Sequence, residues 1–183
     1  TVTGTAPSLA WTPLTHDFGN VNVGANSGTQ TFTLTNSGTA TATGCSAPIL
    51  TGTNPTEFTI TTDNCGTNTL AGSGATCTVL VQGNPTAVGA RTATLSRTCT
   101  FGGTATTTSD QILVTGVQAS LAWAPLTHDF GNVNVGSDSS DQTFTLTNSG
   151  GATATGCSAP TIDDSTNFTI ATDNCGTNTL AGS

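Results

Sequence analysis

Short runs of alternating apolar and polar residues dominate the first two thirds of the chain. Residues 31–35 place Phe32 and Leu34 on one side and threonines on the other, and Val79 and Val81 alternate with polar neighbours in the same way. Successive side chains of a β-strand point to opposite faces, so each run predicts a strand with one buried face. Further strands are predicted at residues 9–11, 18–23, 39–48, 58–60, 90–101 and 112–117.

Turn-forming residues separate these runs at short intervals. Asn36-Ser37-Gly38 and Gly83-Asn84-Pro85 are typical of β-turns. A long run of apolar residues at helical spacing is absent from the sequence. Seven or eight short strands in about 110 residues are typical of an antiparallel sandwich with immunoglobulin-like architecture.

Large side chains are few, and we expect them to form the core of this sandwich, because each aromatic ring can bury about 150–250 Å². In the strand predicted at residues 90–101, the inward positions are expected to be Ala93, Leu95, Cys99 and Phe101. The other expected core aromatics are Trp11, Phe18, Phe32 and Phe58.

The chain contains an internal repeat. Residues 8–24, SLAWTPLTHDFGNVNVG, return at residues 120–136 with one change, Thr12 to Ala124, and positions 8 and 120 differ by 112 residues. Residues 58–73 return at 168–183, where positions 58 and 168 differ by 110, so one loop is two residues shorter in the second copy. Self-similarity at a fixed period is typical of a tandem array.

The repeat predicts the domain organisation. Residues 1–7 are interpreted as the last strand of a preceding repeat, residues 8–119 as a complete repeat, and residues 120–183 as an incomplete second repeat. Counterparts of residues 74–112 are missing from the second copy. We therefore expect the chain to be a window on a longer array.

Charge excludes several classes of partner. The only basic side chains are Arg91 and Arg97, against ten acidic ones, and the formal net charge is −8. Nucleic-acid binding depends on Lys and Arg that neutralise phosphates, so neither nucleic acid nor anionic lipid is an expected partner. No apolar run approaches the ~20 residues of a membrane span, so membrane insertion of this segment is not expected.

Cysteine usage indicates an oxidising compartment. The complete repeat holds four of the six cysteines, and the second copy holds Cys157 and Cys175. Zinc sites usually need close pairs such as C-x-x-C, which the chain lacks. An even number of well-separated cysteines favours a secreted disulfide framework. The combined prediction is an all-β fold of tandem immunoglobulin-like antiparallel β-sandwich repeats with disulfides.

Candidate catalytic groups are sparse. His16 and Asp17 could act as base and orienting group for a nucleophile, but no nucleophile has a helix terminus or strained turn to support it. The letters D-F-G at residues 17–19 lack the lysine and loops of a kinase. The sequence predicts no catalytic residue and no cofactor-binding residue, and therefore a protein that is not an enzyme.

Acidic pairs raise the alternative of a calcium site. Calcium needs six to eight oxygen ligands from a shaped loop, and no D-x-D-x-D-G loop occurs. The candidates are Asp163-Asp164, Asp138 with Asp141, and Asp173-Asn174. The counterpart of Asp163-Asp164 in the first copy is Thr51-Gly52, so no metal residue and no cofactor is predicted.

The order of short motifs resembles a known family. The motifs are FGNVNVG at residues 18–24, TLTNSG at 33–38, the cysteine pair at 65 and 77, and GARTATL at 89–95. Together they resemble ASH-type (ASPM–SPD-2–Hydin) domains, and among them most closely the bacterial choice-of-anchor D repeats. The resemblance implies an immunoglobulin-like sandwich, found in tandem on large bacterial surface and secreted proteins, and no catalytic residues.

Four cysteines allow three pairings. The resemblance favours Cys65–Cys77, since similar cysteines occur in the family, and this leaves Cys45–Cys99 to tie an early strand to a late one. The rival pairing, Cys45–Cys65, would let Cys157 and Cys175 bridge each other in the second copy. The two schemes therefore differ in what they predict for the second copy.

The expected function is a structural tandem repeat of a long extracellular bacterial surface or filament-forming protein, without catalysis. Its expected partners are neighbouring repeats of the same chain or identical chains in a homopolymer or filament, and its expected location is the extracellular side of the bacterial cell surface. The alternative is an adhesin-type binding module whose variable loops, such as residues 51–57, contact glycan or a receptor. A second rival is a self-assembling subunit whose unpaired edges accept another chain.

Overall fold

The computed structural model describes residues 5–101, 104–109, 111–176 and 179–183. It separates into two compact units, Thr1–Val117 and Gln118–Ser183. Most of the strand predicted at residues 1–7 lies outside the described residues, and the described part, residues 5–7, is not a strand.

The first unit consists of strands joined by short loops, with one short 3₁₀ turn at Pro55–Glu57. Its strands are β1 (Leu9–Thr12), β2 (Thr15–Asn22), β3 (Thr29–Asn36), β4 (Ala42–Cys45), β5 (Ile49–Thr51), β6 (Phe58–Asp63), β7 (Asn68–Leu70), β8 (Ala75–Gly83), β9 (Gly89–Thr100), β10 (Thr104–Thr108) and β11 (Gln111–Val117).

One sheet has the order β1-β3-β8-β6, and all of its pairs are antiparallel. Strand β8 lies between β3 and β6, with Phe32 opposite Val79 and Ile60 opposite Val81. The alternating Thr/apolar sequence of β3 and β8 places Phe32 and Leu34 in the core, as predicted, because every second side chain faces inward.

The other sheet has the order β10-β9-β11-β2, and β5 also pairs with β9. Its pair β11–β2 is parallel, whereas an antiparallel sandwich was expected. These strands are the second and the last of the unit, so no short turn joins them and forces them to run in opposite directions. Strands β10 and β11 pair with successive parts of β9. Between them lies the buried Ser109, whose hydroxyl accepts from the N–H of Leu95 and whose N–H donates to the carbonyl of Leu95.

The two sheets enclose one core. The fold is therefore an all-β immunoglobulin-like sandwich, with the small β4–β7 pair beside it and two disulfides within it. The buried apolar residues of this core are Trp11, Val21, Phe32, Leu34, Ala42, Cys45, Phe58, Leu70, Val79, Val81, Ala93, Leu95, Cys99, Ile112 and Val114.

In its described residues the second unit has fewer strands. Those described are β12 (Leu121–Ala124), β13 (Thr145–Asn148), β14 (Ala154–Thr155) and β15 (Thr179–Leu180). Strand β12 pairs with β13 with Leu121 opposite Asn148, which repeats the register of Leu9 opposite Asn36. Strand β14 pairs with β15 and repeats the pairing of Ala42 with Leu70 as Ala154 with Leu180.

Candidate functional site

The two disulfides meet around one buried arginine. Cys45–Cys99 joins β4 to β9, and Cys65–Cys77 joins the loop after β6 to β8. The structure therefore pairs the four cysteines in the scheme that the resemblance favoured, and Cys45 and Cys65 are not bonded to each other. Arg97, between them on β9, is fully buried.

The guanidinium of Arg97 is held by backbone carbonyls. Its Nε donates to the carbonyl of Ser46 at 3.0 Å, and one terminal nitrogen donates to the carbonyls of Cys65 at 3.2 Å and Gly66 at 3.1 Å. The other terminal nitrogen lies 3.4 Å from Cys77 Sγ. Burial lowers the pKa of Arg97, and attraction to Asp63 opposes that shift.

This arrangement ties two segments of backbone, at Ser46 and at Cys65-Gly66, to one side chain. Asp63 accepts hydrogen bonds from the N–H groups of Cys65 and Gly66, so the loop that faces Arg97 is also fixed from its other side. The guanidinium lies just beneath the surface, because the residues whose carbonyls it meets are exposed or half-buried. We call Arg97 and the two disulfides the cystine cluster.

A buried asparagine organises the turn after β3 in the same way in both units. Asn36 Oδ1 accepts from the N–H groups of Ser8 and Gly38, and its Nδ2 donates to the carbonyls of Ala40 and Leu70. Asn148 has the equivalent four bonds in the second unit, to Ser120, Gly150, Ala152 and Leu180. Local polar geometry is therefore kept in the second unit.

Glu57 fastens the loop between β5 and β6. Its carboxylate accepts hydrogen bonds from the hydroxyl and the backbone N–H of Thr86, both at 2.5 Å. Asn54 adds two bonds to the backbone of Thr92 on β9. The bonds from Thr86, together with attraction to Arg91, lower the pKa of Glu57 against the opposing effect of burial.

Substitution of Glu57 is expected to change how stability depends on pH. Because the folded-state pKa lies below the unfolded one, the stabilisation is fully present above about pH 5 and is lost as the pH falls through the folded pKa. We expect Glu57→Gln to lower the free energy of unfolding by about 1 to 2 kcal/mol at pH 7 and to flatten this acid slope. Urea unfolding between pH 3 and 7, followed by Trp11 fluorescence in a Trp123→Phe background, measures both.

Thr86→Val is the matched control, because it removes the hydroxyl donor and keeps the N–H donor. It should remove about half of the effect of Glu57→Gln. An acid slope that is identical in wild type and Glu57→Gln would contradict this role of Glu57.

The structure does not bring His16 and Asp17 into a catalytic pair. The carboxylate of Asp17 accepts from the N–H of Gly19 at 2.8 Å. The His16 ring packs edge-on against Phe18, with ring centres 4.6 Å apart. Both residues are therefore engaged in local contacts on β2.

The acidic residues considered for calcium are used within their own loops. Asp164 accepts from the backbone N–H groups of Thr166 and Asn167 and from the Asn167 side chain at 2.8 Å. These bonds, of which that from the Asn167 side chain is the largest influence, lower the pKa of Asp164. Asp173 accepts from the N–H of Cys175. Among the described residues, no three His, Cys, Asp or Glu side chains form a group that could hold a metal ion.

The second unit exposes apolar side chains whose counterparts in the first unit are buried. Trp123 is 38% exposed where Trp11 is 1%, Phe144 is 39% where Phe32 is 0%, and Phe168 is 47% where Phe58 is 4%. Leu121 and Ile170 are also exposed, whereas their counterparts Leu9 and Ile60 are half-buried. In the same unit Cys157 is half-buried and Cys175 is exposed, and both are free thiols.

Across the part of the chain that the structure describes, no helix is long and apolar enough to cross a membrane. The hydrogen bonds of Glu57, Asp63 and Arg97 hold segments of the first unit together, and those of Asp17 and Arg91 are to nearby backbone.

No protein-family model and no curated protein sequence matches the chain. Among solved structures, the Vibrio cholerae VesB protease is similar at 24% identity and a TM-score of 0.47, over 58% of this chain and 31% of the protease. The ASH / PapD-like domain of human CEP192 (PapD-like domain 7) is similar at 14% identity and a TM-score of 0.41, over 61% of this chain and 87% of that domain. The secreted serine protease VesC from Vibrio cholerae is similar at 21% identity and a TM-score of 0.37, over 64% of this chain and 24% of that one.

These likenesses concern the fold alone. The two intact disulfides are of the kind found in oxidising compartments.

One sequence-based prediction needs correction. The chain was predicted not to be an enzyme, and that statement is wrong as it stands, because two of the similar solved structures are proteases. The chain spans only 31% and 24% of those proteases. No reaction is thereby assigned to this chain.

Proposed function

We propose that the chain is a structural tandem-repeat segment of a long extracellular protein on a bacterial surface or in a bacterial filament. One observation carries the proposal: strand register and the asparagine-centred turn recur in both units at the 112-residue spacing between positions 36 and 148. A protein that repeats one sandwich so closely offers neighbouring units the same surface each time. Its partners in this proposal are neighbouring repeats of the same chain or of identical chains.

Three features support the extracellular setting. The complete repeat carries two disulfides, and disulfides persist outside the cell. The chain has only two basic side chains, and Arg97 is buried, so trypsin-like proteases have few sites. The resemblance to bacterial choice-of-anchor D repeats points to the same setting.

Electron microscopy of the native protein tests this proposal. An antibody raised against residues 8–24 also recognises residues 120–136, because the two stretches differ at one position. Gold-labelled antibody should decorate long rods of uniform width at regular intervals. Isolated particles that carry one or two gold labels would overturn the proposal of a long array.

A second candidate function is an adhesin-type binding module. The segment at residues 49–57, which contains β5 and the following loop, differs in length and sequence from its counterpart at 161–167, while the framework around them repeats. Hydrogen bonds of Asn54 and Glu57 fix the first loop, and a fixed loop binds at a lower entropic cost. If the chain binds glycans on an array, exchange of residues 49–57 for the sequence of 161–167 should change the glycans bound; unchanged binding would count against this loop.

A further inference from the structure

The two disulfides of the cystine cluster differ in their access to solvent. Cys45 and Cys99 are 4% and 1% exposed, so their bond lies in the core of the first unit. Cys65 and Cys77 are both half-buried. Cys65 lies in the loop after β6, and the residues on either side of it in that loop are exposed. The Cys65–Cys77 bond is therefore the one that a thiol in solution can reach without opening of the core.

Arg97 makes the two sulfur atoms of this bond unequal. One terminal nitrogen of its guanidinium donates to Cys77 Sγ at 3.4 Å. Its contact with Cys65 is instead through the backbone carbonyl, at 3.2 Å. A positive charge next to a sulfur stabilises its thiolate form. The guanidinium therefore favours negative charge on Cys77 over negative charge on Cys65.

The guanidinium also lacks a charge-balancing partner in direct contact. It is fully buried, and the three carbonyls to which it donates are polar but uncharged. Asp63 attracts it, but Asp63 is exposed, and its carboxylate accepts from the N–H groups of Cys65 and Gly66. A buried cation is costly unless an opposite charge meets it. A thiolate at Cys77 would contact this cation directly, and the contact would stabilise both groups.

We propose that Cys65–Cys77 is a thiol-exchange site, at which Cys65 takes up a small thiol and Cys77 is released as a thiolate paired with Arg97. The reactant is a low-molecular-weight thiol such as glutathione or free cysteine. Such a molecule can reach a half-buried sulfur in a loop that Asp63 and Arg97 hold in place. A cysteine on the surface of a folded partner would need that loop to move.

The exchange conserves electrons. The incoming thiol gives its proton to solvent, and its thiolate attacks Cys65 Sγ. A new S–S bond forms between the incoming sulfur and Cys65 as the bond between Cys65 and Cys77 breaks, and the electron pair of the broken bond leaves on Cys77 Sγ. A thiol of lowered pKa leaves faster and is less nucleophilic in the reverse attack. Arg97 therefore favours both the opening of the bond and the persistence of the mixed disulfide.

Reaction of the full chain with reduced glutathione tests the proposal. Cys157→Ser with Cys175→Ser first removes the two free thiols of the second unit. The products are trapped with iodoacetamide, digested with pepsin and mapped by mass spectrometry without reduction. We expect glutathione on Cys65 and the alkyl group on Cys77. The buried disulfide should react at least about tenfold more slowly, because it becomes accessible only when the core opens.

Substitution of Arg97 separates the effect of its charge from its effect on stability. Arg97→Met destabilises the unit, and this alone would expose the disulfide more often and speed the reaction. We expect the opposite result, formation of the mixed disulfide slowed by about tenfold, because the leaving thiolate loses its cationic partner. Arg91→Met is the matched control on the same strand; the Arg91 guanidinium donates to the carbonyl of Val88, so its loss should leave the rate unchanged.

The ionisation of Cys77 is the second measurement. With Cys65→Ser added, Cys77 is a free thiol beside Arg97, and the ultraviolet absorbance of the thiolate follows its titration. We expect the pKa of Cys77 to lie below that of an ordinary cysteine and to rise in Arg97→Met. Asp63, the other charged group at this loop, acts in the opposite direction, but it is exposed and screened by solvent.

Four results would each overturn the proposal. The first is glutathione attached mainly to Cys77, and the second is a Cys65–Cys77 bond that resists glutathione as long as the buried disulfide does. The third is a rate in Arg97→Met that equals or exceeds that of wild type. The fourth is a pKa of Cys77 that Arg97→Met leaves unchanged.

Discussion

Replacement of both Cys45 and Cys99 by alanine is expected to lower the free energy of unfolding of the first unit by about 4 kcal/mol. This disulfide closes a sequence separation of 54 residues. In the chain-entropy treatment, a loop of that size removes roughly this much conformational freedom from the unfolded chain. Since a domain is typically stable by about 5–15 kcal/mol, the loss would bring the unit close to unfolding at physiological temperature.

Urea unfolding followed by Trp11 fluorescence, in the Trp123→Phe background, measures this loss. Trp11 is a suitable reporter because it is fully buried on β1, in the same core as Cys45 and Cys99. The small space left by the two sulfurs, both buried, adds to the entropic loss, so the measured value should not fall below the entropic one. An unfolding midpoint equal to that of wild type, with an unchanged slope, would contradict the prediction.

The second disulfide is the matched comparison. Cys65–Cys77 closes a separation of 12 residues, for which the same treatment gives about 3 kcal/mol. Cys65→Ala with Cys77→Ala should therefore cost about 1 kcal/mol less than the first pair. The reverse order would mean that contacts of the sulfurs in the folded state, such as that of Cys77 with Arg97, outweigh the loop entropy.

The strands with strong alternation could be predicted from the sequence, and the weak ones could not. In β3 and β8 large apolar side chains alternate with polar ones, mostly threonine, so the sequence alone identifies which face of each strand is buried. Strand β10, Thr104–Thr108, contains only Thr and Ala and has no apolar side chain large enough to mark a face. The parallel pairing of β2 with β11 depends on contacts across the whole unit, which local pattern does not report.

Two buried polar residues, Asn36 and Arg97, were not predicted to lie in the core. Asn36 continues the inward series Phe32, Leu34, and Arg97 continues the inward series Ala93, Leu95. The alternation of side chains along a strand therefore placed both residues on the buried face. Because both are polar, the sequence instead favoured a turn at Asn36 and gave no reason to place Arg97 in the core. Their hydrogen-bond acceptors include carbonyls of Leu70 and Cys65, which only the folded chain brings near.

Loss of the buried guanidinium is the second large expected effect. Arg97→Ala should lower the free energy of unfolding of the first unit by about 4 kcal/mol, through the cavity left behind and the carbonyls of Ser46, Cys65 and Gly66 that lose their donor. Arg97→Met should cost about 2 kcal/mol, because methionine fills most of the volume and avoids the burial of a charge. Urea unfolding with the Trp11 reporter measures both.

Arg91 on the same strand is the matched control. Its guanidinium donates to the exposed carbonyl of Val88, so Arg91→Met should change stability by no more than about 0.5 kcal/mol. The comparison of the two Arg97 variants then decides what the arginine contributes. If Arg97→Met equals wild type, filling of space explains the residue; if it equals Arg97→Ala, the hydrogen bonds explain all of it.

The Arg97 effect should also depend on the disulfides. Arg97 contacts Cys77 Sγ and the carbonyl of Cys65, so we expect its contribution to stability to be coupled to that of the Cys65–Cys77 bond. Combination of Arg97→Met with Cys65→Ala and Cys77→Ala should cost less than the sum of the two changes, because the loop that Arg97 holds is already released. Combination with Arg91→Met should be additive; strict additivity in both cases would show that Arg97 stabilises the sandwich independently of the bond beside it.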